Sequence, residues 1–382
     1  MTGLVGSADV IVIGGGGMGS AAAAEISRRG RSVILLDRFP PPHDRGSSHG
    51  QSRLIRLAYF EHPDYVPLLH EAYRLWRRLE ADVGRALLTE SGLVLCGPPE
   101  GEAVRGTLHA AAVHGLEVEC LDAATGMARH PGLRLPADWL VVHEPRGGWL
   151  RVEDCVRAGL DLAVRHGARL DTPVTVRGWS PAGSGFVVDT DRGRYAAERL
   201  VIAAGPWAGA LIDLPALPLV VLRKGLFWFQ PAVEHRGTLA AGAFPCFAFD
   251  TPAGFYYGFP AIEGGAVKVA EHSGGTVVTD PLTVDRGIDA GELARVEGIL
   301  AAHLPAACGP RVAAATCLYT MSPDGHFILG PHPRHPGVAI AAGFSGHGFK
   351  FASVVGAILA DLALGGATDL PIGFLSPERF GG

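Results

Sequence analysis

A glycine-rich run near the N-terminus has the spacing of a dinucleotide-binding turn. Residues 10–19 place Gly14, Gly16 and Gly19 directly after a short apolar segment, which matches the G-x-G-x-x-G pattern. In this pattern the first glycine allows a tight turn, the second lets the backbone approach a pyrophosphate, and the third lets a helix pack closely. Asp37 follows at the distance where a carboxylate accepts hydrogen bonds from ribose hydroxyls. The sequence therefore predicts a dinucleotide without a 2′-phosphate, and the motif leaves FAD and NAD open.

Two arginines, Arg53 and Arg56, stand three residues apart in a short polar segment. On a helix or a turn this spacing places both guanidinium groups on one face. Two neighbouring guanidinium groups suit an anion such as a substrate carboxylate. The alternative is an exposed charge pair without a ligand, and the spacing leaves both interpretations open.

Lys268 and His272 stand four residues apart, shortly after the aromatic run 256–260. The β-branched residues around them predict a strand, and residues i and i+4 of a strand share one face. If that face meets a cofactor, it presents two potential cations. An ordinary polar sheet face is the alternative.

A second glycine-rich turn, residues 343–350, is predicted to lead from a strand into a helix. A helix N-terminus in this place can bind an anion, and it suits the pyrimidine end of a reduced flavin. The preceding segment 316–320 contains Cys317. A single cysteine is more often a buried apolar residue than a reactive thiol, so Cys317 by itself decides nothing.

The lysine content of the chain is low. Of its 33 lysine and arginine residues only three are lysines, at positions 224, 268 and 350. A lysine that persists in an arginine-rich chain indicates a position that needs a compact, deprotonatable ammonium group rather than a planar guanidinium.

Hydrophobic periodicity places these candidate residues on alternating strands and helices. A strand at 9–13, a helix at 21–29 and a strand at 32–36 predict a βαβ unit around the glycine motif. Further helices are predicted at 65–83 and from Phe349 onward. Further strands are predicted at 92–95, 186–189, 199–204, 222–230, 254–259, 266–270 and 338–342.

The pattern predicts an α/β protein in which a Rossmann-like nucleotide-binding domain is interleaved with a sheet-rich α+β substrate domain. The first domain is assigned to residues 1–85, 150–215 and 320–382, where helices and strands alternate. Residues 86–149 and 216–319 are richer in strands and form the second domain. Both domains are therefore discontinuous in sequence.

Composition restricts the class of protein and its partners. With 382 residues, 48% hydrophobic and 19% charged, the chain fits a soluble globular enzyme. A net charge of −5 without a basic block gives no reason to expect nucleic acid as a partner. The six cysteines show neither C-x-x-C pairs nor zinc-like spacing, so we expect no metal and reduced thiols in a cytoplasmic protein. We recognise no signal peptide, and the apolar run 351–364 is too short for a membrane span.

Six blocks, in this order, resemble the family of monomeric sarcosine oxidase, which also contains N-methyltryptophan oxidase. They are the glycine motif with Asp37, the loop that comprises 41–43 and 46–50, the pair Arg53 and Arg56, and the three segments 256–260, 317–319 and 345–350. The resemblance covers nearly the whole chain. It implies a monomeric FAD-dependent oxidase that converts an N-methyl amino acid, through an imine, into formaldehyde and the primary amino acid while O2 becomes hydrogen peroxide.

The resemblance also implies how the cofactor is held and used. FAD would be attached through a thioether between its 8α-methyl group and Cys317. Arg53 would lie near the flavin, oriented by Tyr257, and Lys268 would assist the reaction with oxygen. Contacts to FAD are implied for Gly14, Gly16, Met18, Gly19, Asp37, Ser47, His49, Arg53, Val174, Gly205, Trp207, Cys317, Gly346, Gly348, Phe349 and Lys350.

For the substrate, the resemblance implies that Arg56 and Lys350 bind its carboxylate. His272 and Tyr319 would line the cavity around it. A cation and a helix N-terminus near the flavin would stabilise the negative charge that amine oxidation leaves there.

The chain departs from the sarcosine oxidase pattern at informative positions. Ser48 precedes His49 where sarcosine oxidase has two histidines. Ala248 occupies the place of a methionine, which widens the expected cavity and suggests Ala248 as a substrate-binding position. Lys224 is closer to the N-methyltryptophan enzyme. We therefore expect a substrate bulkier than sarcosine.

Three alternatives remain open at this point. The same site could oxidise a cyclic imino acid such as pipecolate or proline, or a primary amino acid. The glycine motif alone would also fit an NAD-dependent dehydrogenase, which predicts a colourless protein. A flavin-binding redox module without turnover would be expected to lack Lys268, Arg56 or Lys350, and all three are present.

Overall fold

Sheets of eight, nine and three strands organise the part of the chain that the structure describes. This part of the computed structural model comprises residues 3–214, 217–262 and 265–381. Its strands are β1 (Leu4–Ile13), β2 (Val33–Leu36), β3 (Ser52–Ile55), β4 (Leu88–Glu90), β5 (Leu93–Gly97), β6 (Glu119–Asp122), β7 (Leu140–Glu144), β8 (Gly148–Arg151), β9 (Arg169–Asp171), β10 (Val176–Ala182), β11 (Gly185–Thr190), β12 (Gly193–Ile202), β13 (Val220–Phe229), β14 (Cys246–Thr251), β15 (Gly254–Ile262), β16 (Ala266–Glu271), β17 (Thr276–Val278), β18 (Arg311–Met321), β19 (Ile328–Pro331) and β20 (Val338–Ala342). Its α-helices are α1 (Gly17–Arg28), α2 (Val66–Val83), α3 (Glu102–His114), α4 (Ala123–Arg129), α5 (Val152–Arg165), α6 (Ala290–His303) and α7 (Ala352–Gly365).

The eight-stranded sheet contains the βαβ unit predicted around the glycine motif. Its strand order is β10-β11-β12-β1-β2-β9, and β20 pairs with both β12 and β19. Strands β1, β2, β9, β12 and β20 are parallel to one another. Val10, Ile11 and Val12 of β1 are fully buried, because α1, α5 and α7 cover one face and a second apolar cluster covers the other. The carboxyl ends of these five strands therefore meet at one edge of the sheet.

The nine-stranded sheet has the order β17-β13-β16-β15-β14-β5-β7-β6, with β18 paired along β13. Its two faces belong to separate apolar clusters. One face packs against α4 and α6, and the other packs against α3 and β8. Since Tyr257 and Tyr319 lie on the second face, that face carries the predicted catalytic side chains.

The small sheet β3-β8-β4 contributes side chains to the apolar clusters of both large sheets. A buried amine connects the small sheet to the nine-stranded sheet. Lys268 Nζ of β16 donates hydrogen bonds to the carbonyl oxygens of Gly50 (2.6 Å) and Ser52 (2.8 Å). Arg53 follows Ser52 in β3, so this contact fixes the backbone that carries Arg53.

The α/β architecture predicted from the sequence is confirmed. One local prediction is wrong: Arg53 and Arg56 do not share a helical face, because Arg53 lies in strand β3 and Arg56 directly follows it. The predicted start of the last helix at Phe349 is inexact, because Phe349–Phe351 form a 3₁₀ turn that precedes α7. The division into two interleaved domains stays a prediction, and its boundary at 215/216 lies outside the described residues.

No helix in the described part of the chain combines the length and the apolar character needed to cross a bilayer.

The glycine turn itself gives a testable requirement. A Cβ atom at position 19 would overlap the carbonyl oxygen of Gly14, a backbone atom that cannot move aside. We expect Gly19→Ala to destabilise the protein by about 1–3 kcal/mol, as overpacking usually does, and to lower the thermal unfolding midpoint. Gly178→Ala is the control, because a Cβ there meets nothing within 4 Å. Equal midpoints for the two variants would contradict this packing role.

Candidate active site

A cavity of about 460 Å³ opens at the edge where the parallel strands end. Its wall includes the residues that directly follow β1, β2, β12 and β20, namely Gly14, Asp37, Ala203 and Gly343. Ligands of open α/β sheets bind at this edge, outside the carboxyl ends of the strands.

The glycine turn forms one side of this cavity. Gly14 has φ +104°, in the left-handed region that favours glycine, and a Cβ there would overlap the carbonyl oxygen of Ala203. Asp37 stabilises the turn, because its carboxylate accepts hydrogen bonds from the backbone N–H groups of Gly15 (2.6 Å) and Phe39 (2.9 Å). A carboxylate has about four acceptor sites, so Asp37 keeps capacity for a ribose hydroxyl.

Three observations fit a bound dinucleotide. A Cβ on Gly16 would meet nothing closer than Ser48 Oγ at 3.5 Å, so the protein's own packing does not require glycine there, yet Gly16 lines the cavity. Trp207 Nε1, in the same wall, is buried and has no hydrogen-bond partner within the described part of the chain. Helix α1 begins beside Gly16 with no acidic residue in its first turn. Apart from the hydrogen bond that the Gly17 N–H donates to Ser48 Oγ (3.0 Å), its positive end is available to a pyrophosphate.

The structure places most of the sequence-predicted cofactor residues in this wall. They are Gly14, Gly16, Met18, Asp37, Ser47, Arg53, Val174, Gly205, Trp207, Gly346, Gly348 and Phe349. The remaining four, Gly19, His49, Cys317 and Lys350, do not line this cavity. Of these, Lys350 lines the smaller cavity described below. Sequence reasoning missed Arg38 and the segment 175–177, which line the cavity without belonging to any recognisable motif, and it gave no role to Phe344 of the glycine-rich turn 343–350.

Arg53 is bonded to three different segments at the inner end of the cavity. Its guanidinium group donates to the carbonyl oxygens of Ser52 (2.9 Å) and Ser47 (2.8 Å) and to Cys317 Sγ (3.2 Å). Burial by itself raises the pKa of the Cys317 thiol, but Arg53 and His49 lower it to about 6. Cys317 is therefore mostly thiolate at neutral pH, which is the nucleophilic form of cysteine.

Lys268 lies behind Arg53, in contact with the small sheet. Its amine is 2% exposed, and the rings of Phe259 and Trp228 lie 4.9 Å and 5.4 Å from it. Burial lowers the pKa of this amine well below its usual value. The two backbone carbonyls that it contacts are the acceptors that keep a buried ammonium group hydrogen-bonded.

A second cavity, of about 60 Å³, adjoins the first. Arg53, Gly346 and Phe349 line both cavities. Of the residues predicted for substrate, Arg56, Lys350, Ala248 and His272 line the smaller cavity, whereas Tyr319 lines the larger one. Tyr257, which was predicted to orient Arg53, also lines the smaller cavity.

Arg56 is already engaged by an acid in this cavity. Its Nη2 atom donates to both carboxylate oxygens of Glu61, at 2.6 Å and 2.8 Å, and both side chains are largely buried. The guanidinium carbon also lies 4.8 Å from the ring centre of Tyr59 and 4.3 Å from that of Phe60. A carboxylate ligand that binds Arg56 must therefore compete with Glu61.

Lys350 provides the second cation of the smaller cavity. Its Nζ atom donates to the carbonyl oxygen of His347 (2.7 Å) and to the hydroxyl of Tyr59 (3.4 Å). Burial, followed by repulsion from Arg56, lowers its pKa to about 7. A ligand anion beside it would favour the ammonium form.

His272 forms part of a chain of weak polar contacts with two tyrosines. The Tyr319 hydroxyl lies 3.5 Å from both His272 Nδ1 and the Tyr257 hydroxyl. Burial lowers the pKa of His272 to about 3, so the imidazole is neutral at physiological pH. The expectation that Lys268 and His272 present two cations is thus wrong for His272, because desolvation outweighs the influence of nearby acids.

The smaller cavity also contains residues that sequence reasoning missed. They include Glu61, Leu93, Leu95, Thr107, Val142, Glu144, Phe255 and His347. Glu144 had a detectable signal, as the acid that ends an apolar strand. Its buried carboxylate accepts hydrogen bonds from the backbone N–H groups of Leu57 (2.5 Å) and Ala58 (3.1 Å), and so fixes the segment after Arg56.

Comparisons with known proteins agree with this geometry. The family described as FAD dependent oxidoreductase matches residues 9–362 of the chain. The chain belongs to this family. The predicted flavin enzyme is therefore confirmed, and FAD rather than NAD is the dinucleotide, so the NAD-dependent alternative is wrong.

Among curated relatives, monomeric sarcosine oxidase from Streptomyces avermitilis is 42% identical over 375 residues, 97% of each chain. N-methyl-L-tryptophan oxidase from Citrobacter koseri is 37% identical over 361 residues, 94% of this chain and 95% of that protein. The solved structure of NikD, an unusual amino acid oxidase essential for nikkomycin biosynthesis, matches with a TM-score of 0.85 and 29% identity, covering 98% of each chain. Glycine oxidase from Geobacillus kaustophilus, at 23% identity and a TM-score of 0.82, shows the fold alone.

The pKa of Lys350 predicts how anion binding depends on pH. An ammonium group is present below a pKa of about 7 and is lost as the pH rises above it. We therefore expect the dissociation constant of acetate, measured through perturbation of the flavin absorption spectrum, to rise by up to about tenfold per pH unit above pH 7. Lys350→Met should bind acetate weakly and without this pH dependence. A parallel pH profile in the variant would contradict the assignment to Lys350.

Proposed function

We propose that the protein oxidises the N-methyl C–N bond of a secondary α-amino acid. The amine loses two electrons and two protons to become an imine, which water hydrolyses to formaldehyde and the primary amino acid. FAD, when bound, would supply the two-electron acceptor for this oxidation, and O2 would finally take up the two electrons and two protons as hydrogen peroxide. The relatives named sarcosine oxidase and N-methyl-L-tryptophan oxidase support this reaction.

The observation that carries the proposal is the junction of the two cavities. Arg53, Gly346 and Phe349 form a wall common to both, so a ligand in the smaller cavity lies against the inner end of the dinucleotide cavity. The smaller cavity contains Arg56 and Lys350, two buried basic groups of the kind that recognise a carboxylate. A zwitterionic amino acid anchored there by its carboxylate would present its amine toward the junction.

Arg56 and Lys350 would bind the substrate by exchange. The substrate carboxylate replaces Glu61 as the partner of Arg56, so the buried guanidinium group is paired before and after binding. Lys350 takes up a proton as the anion approaches, since its pKa of about 7 permits both forms near neutrality. His272, neutral and buried, would exclude water from the amine without adding charge.

Arg53 and Lys268 would act at the junction rather than on the carboxylate. Arg53 supplies a fixed positive charge where amine oxidation leaves negative charge, and stabilisation by a preorganised cation lowers the barrier. Lys268 would favour the transfer of the first electron to dioxygen, because an ammonium group stabilises the superoxide anion. Its Nζ atom is held by two backbone carbonyls, so its position is fixed before oxygen arrives.

Cys317 is proposed as the covalent anchor of FAD. Its sulfur is held by Arg53 Nη2, and its lowered pKa of about 6 keeps it as thiolate. Its neighbours Leu318 and Tyr319 line the dinucleotide cavity. A thiolate fixed beside the cavity suits the formation of a thioether with the 8α-methyl group.

The size of the cavity limits the substrate. Before Glu61 is displaced, the cavity of about 60 Å³ corresponds to roughly four to six water-sized groups, which suits a small amino acid. Ala248 lines this cavity and leaves room for a side chain beyond that of sarcosine. We therefore propose a substrate with a short side chain, larger than sarcosine and smaller than N-methyltryptophan, on which the protein acts as a monomer.

A substrate panel tests the function. With N-methylalanine, N-methylvaline and sarcosine we expect hydrogen peroxide and formaldehyde in equal amounts, and with N-methyltryptophan much lower kcat/KM. Ala248→Met should reduce kcat/KM for N-methylvaline more than for sarcosine, because its longer side chain fills the gap. Peroxide without formaldehyde, from pipecolate, proline or a primary amino acid only, would favour those alternatives instead.

The attachment of FAD has a direct test. After acid precipitation of the wild-type protein, we expect the flavin absorbance to remain in the pellet. Cys317→Ser should release its flavin to the supernatant, whereas Cys120→Ser, which changes an exposed cysteine, should behave like the wild type. Flavin in the wild-type supernatant would show that the cofactor is bound without a covalent bond.

A further inference from the structure

A row of side chains leads from the cavity junction across the nine-stranded sheet. Tyr257 of β15 stands opposite Ala248 of β14, Ala248 stands beside Leu95 of β5, and Leu95 stands opposite Val142 of β7. Residues in register on neighbouring strands point to the same face, with strands about 4.8 Å apart. The row therefore extends for roughly 14 Å, and all four of its residues line the smaller cavity.

Ala248 leaves a gap in this row, and helix α3 covers the row from above the sheet. Ala248 is the smallest of the four side chains, so the groove beside Tyr257 passes over it toward Leu95 and Val142. Helix α3 covers this face, and its N-terminus is fixed to β14 because Asp250 accepts hydrogen bonds from the backbone N–H groups of Ala103 (2.8 Å) and Val104 (3.3 Å). One turn further along, Thr107 of α3 lines the cavity.

The Thr107 hydroxyl has no hydrogen-bond partner among the residues that the structure describes. The residue is 4% exposed, and Oγ1 is buried without a hydrogen bond. Other polar groups in the same wall are satisfied: Glu61 binds Arg56, and Glu144 binds two backbone N–H groups. A buried hydroxyl without a partner is unfavourable by an amount comparable to a lost hydrogen bond, and ligand-binding sites are where such groups find their partners.

We propose that Thr107 determines side-chain specificity by hydrogen bonding to a hydroxyl group on the substrate's short side chain. The inference rests on the proposed function and narrows its substrate class to N-methyl amino acids with a hydroxylated side chain of two to four heavy atoms. The carboxylate binds at Arg56 and Lys350, the carbon atoms of the side chain pass over Ala248, and the hydroxyl meets Thr107. A purely apolar side chain of the same shape leaves the Thr107 hydroxyl buried and unpaired, so it binds less well.

Two pairs of nearly isosteric substrates test this assignment. In each pair a hydroxyl replaces a methyl group: N-methyl-L-threonine against N-methyl-L-valine, and N-methyl-L-homoserine against N-methyl-L-norvaline. We expect the wild-type holoenzyme to prefer the hydroxylated member of at least one pair by about 3- to 10-fold in kcat/KM, the range of one neutral hydrogen bond. A ratio near one in both pairs, or oxidation of sarcosine alone, would overturn the proposal.

The matched variants are Thr107→Val, which keeps the shape and removes the hydroxyl, and Thr107→Ser, which keeps the hydroxyl. Thr107→Val should abolish the preference for the hydroxylated member of the pair, and Thr107→Ser should retain that preference. A preference that survives in Thr107→Val would overturn the assignment. If Thr107→Val folds poorly, loss of the preference in Thr107→Ser would overturn it equally.

Failure of the proposed function is distinguishable from failure of this inference. If no N-methyl amino acid yields peroxide, the proposed reaction is wrong, but Thr107 can still be tested by binding alone. The probes are then 3-hydroxybutanoate and 3-methylbutanoate, which lack an oxidisable amine, with dissociation constants read from the flavin spectrum. Tighter binding of the hydroxy acid to the wild type but not to Thr107→Val would support the assignment, and any other pattern would overturn it.

Discussion

The buried guanidinium group of Arg53 is the interaction on which the rest of the site depends. It is 9% exposed and joins the small sheet, the loop at Ser47 and strand β18 through Cys317. A buried charge is tolerated only when it is paired and hydrogen-bonded, and removal of one partner leaves an uncompensated charge. The thiolate of Cys317 and the backbone carbonyls meet this requirement. The same charge that demands these partners also lowers the pKa of the thiol and lies where the two cavities meet.

The buried amines of the lysines likewise depend on hydrogen-bond partners. All three lysines are buried, at 1%, 2% and 6% exposure for Lys224, Lys268 and Lys350, and each donates to backbone carbonyl oxygens. Lys224 fixes the turn after His272 by contacting Ser273 (2.5 Å) and Gly274 (3.2 Å). A compact ammonium group can enter such narrow positions, where the planar fork of arginine would need more space. The low lysine content thus marks positions where the shape of the cation matters.

The charge states of the side chains in the smaller cavity follow from their burial. Burial lowers the pKa of both His272 and Lys350, but with different results at neutral pH: the histidine is neutral, and the lysine can exist in either form. Arg56 stays charged and pairs with Glu61. The site therefore holds one permanent cation with an exchangeable partner and one cation whose charge responds to a ligand. This arrangement suits a ligand that carries its own carboxylate.

The amino-acid sequence by itself determined the βαβ unit, the position of the dinucleotide turn and the α/β architecture. Local physics is sufficient there, because Gly14 needs a positive φ, Gly19 has no space for a Cβ, and the buried parallel strands need continuous apolar runs. The resemblance to a known family supplied the distant residues Arg56, Cys317 and Lys350, which no local pattern connects.

Only the tertiary structure decided which of these residues meet and in what state of charge. Arg53 lies in a strand and lines both cavities, whereas Arg56 follows that strand and lines the smaller cavity alone. Glu61 reaches Arg56 only in the folded chain. Thr107 gave no signal in the sequence, since a threonine in a helix becomes notable only when its surroundings deny it a partner. Spacing along the chain fixes local conformation, whereas burial and the proximity of distant groups fix pKa values, cavity shape and the hydrogen bonds left open for a ligand.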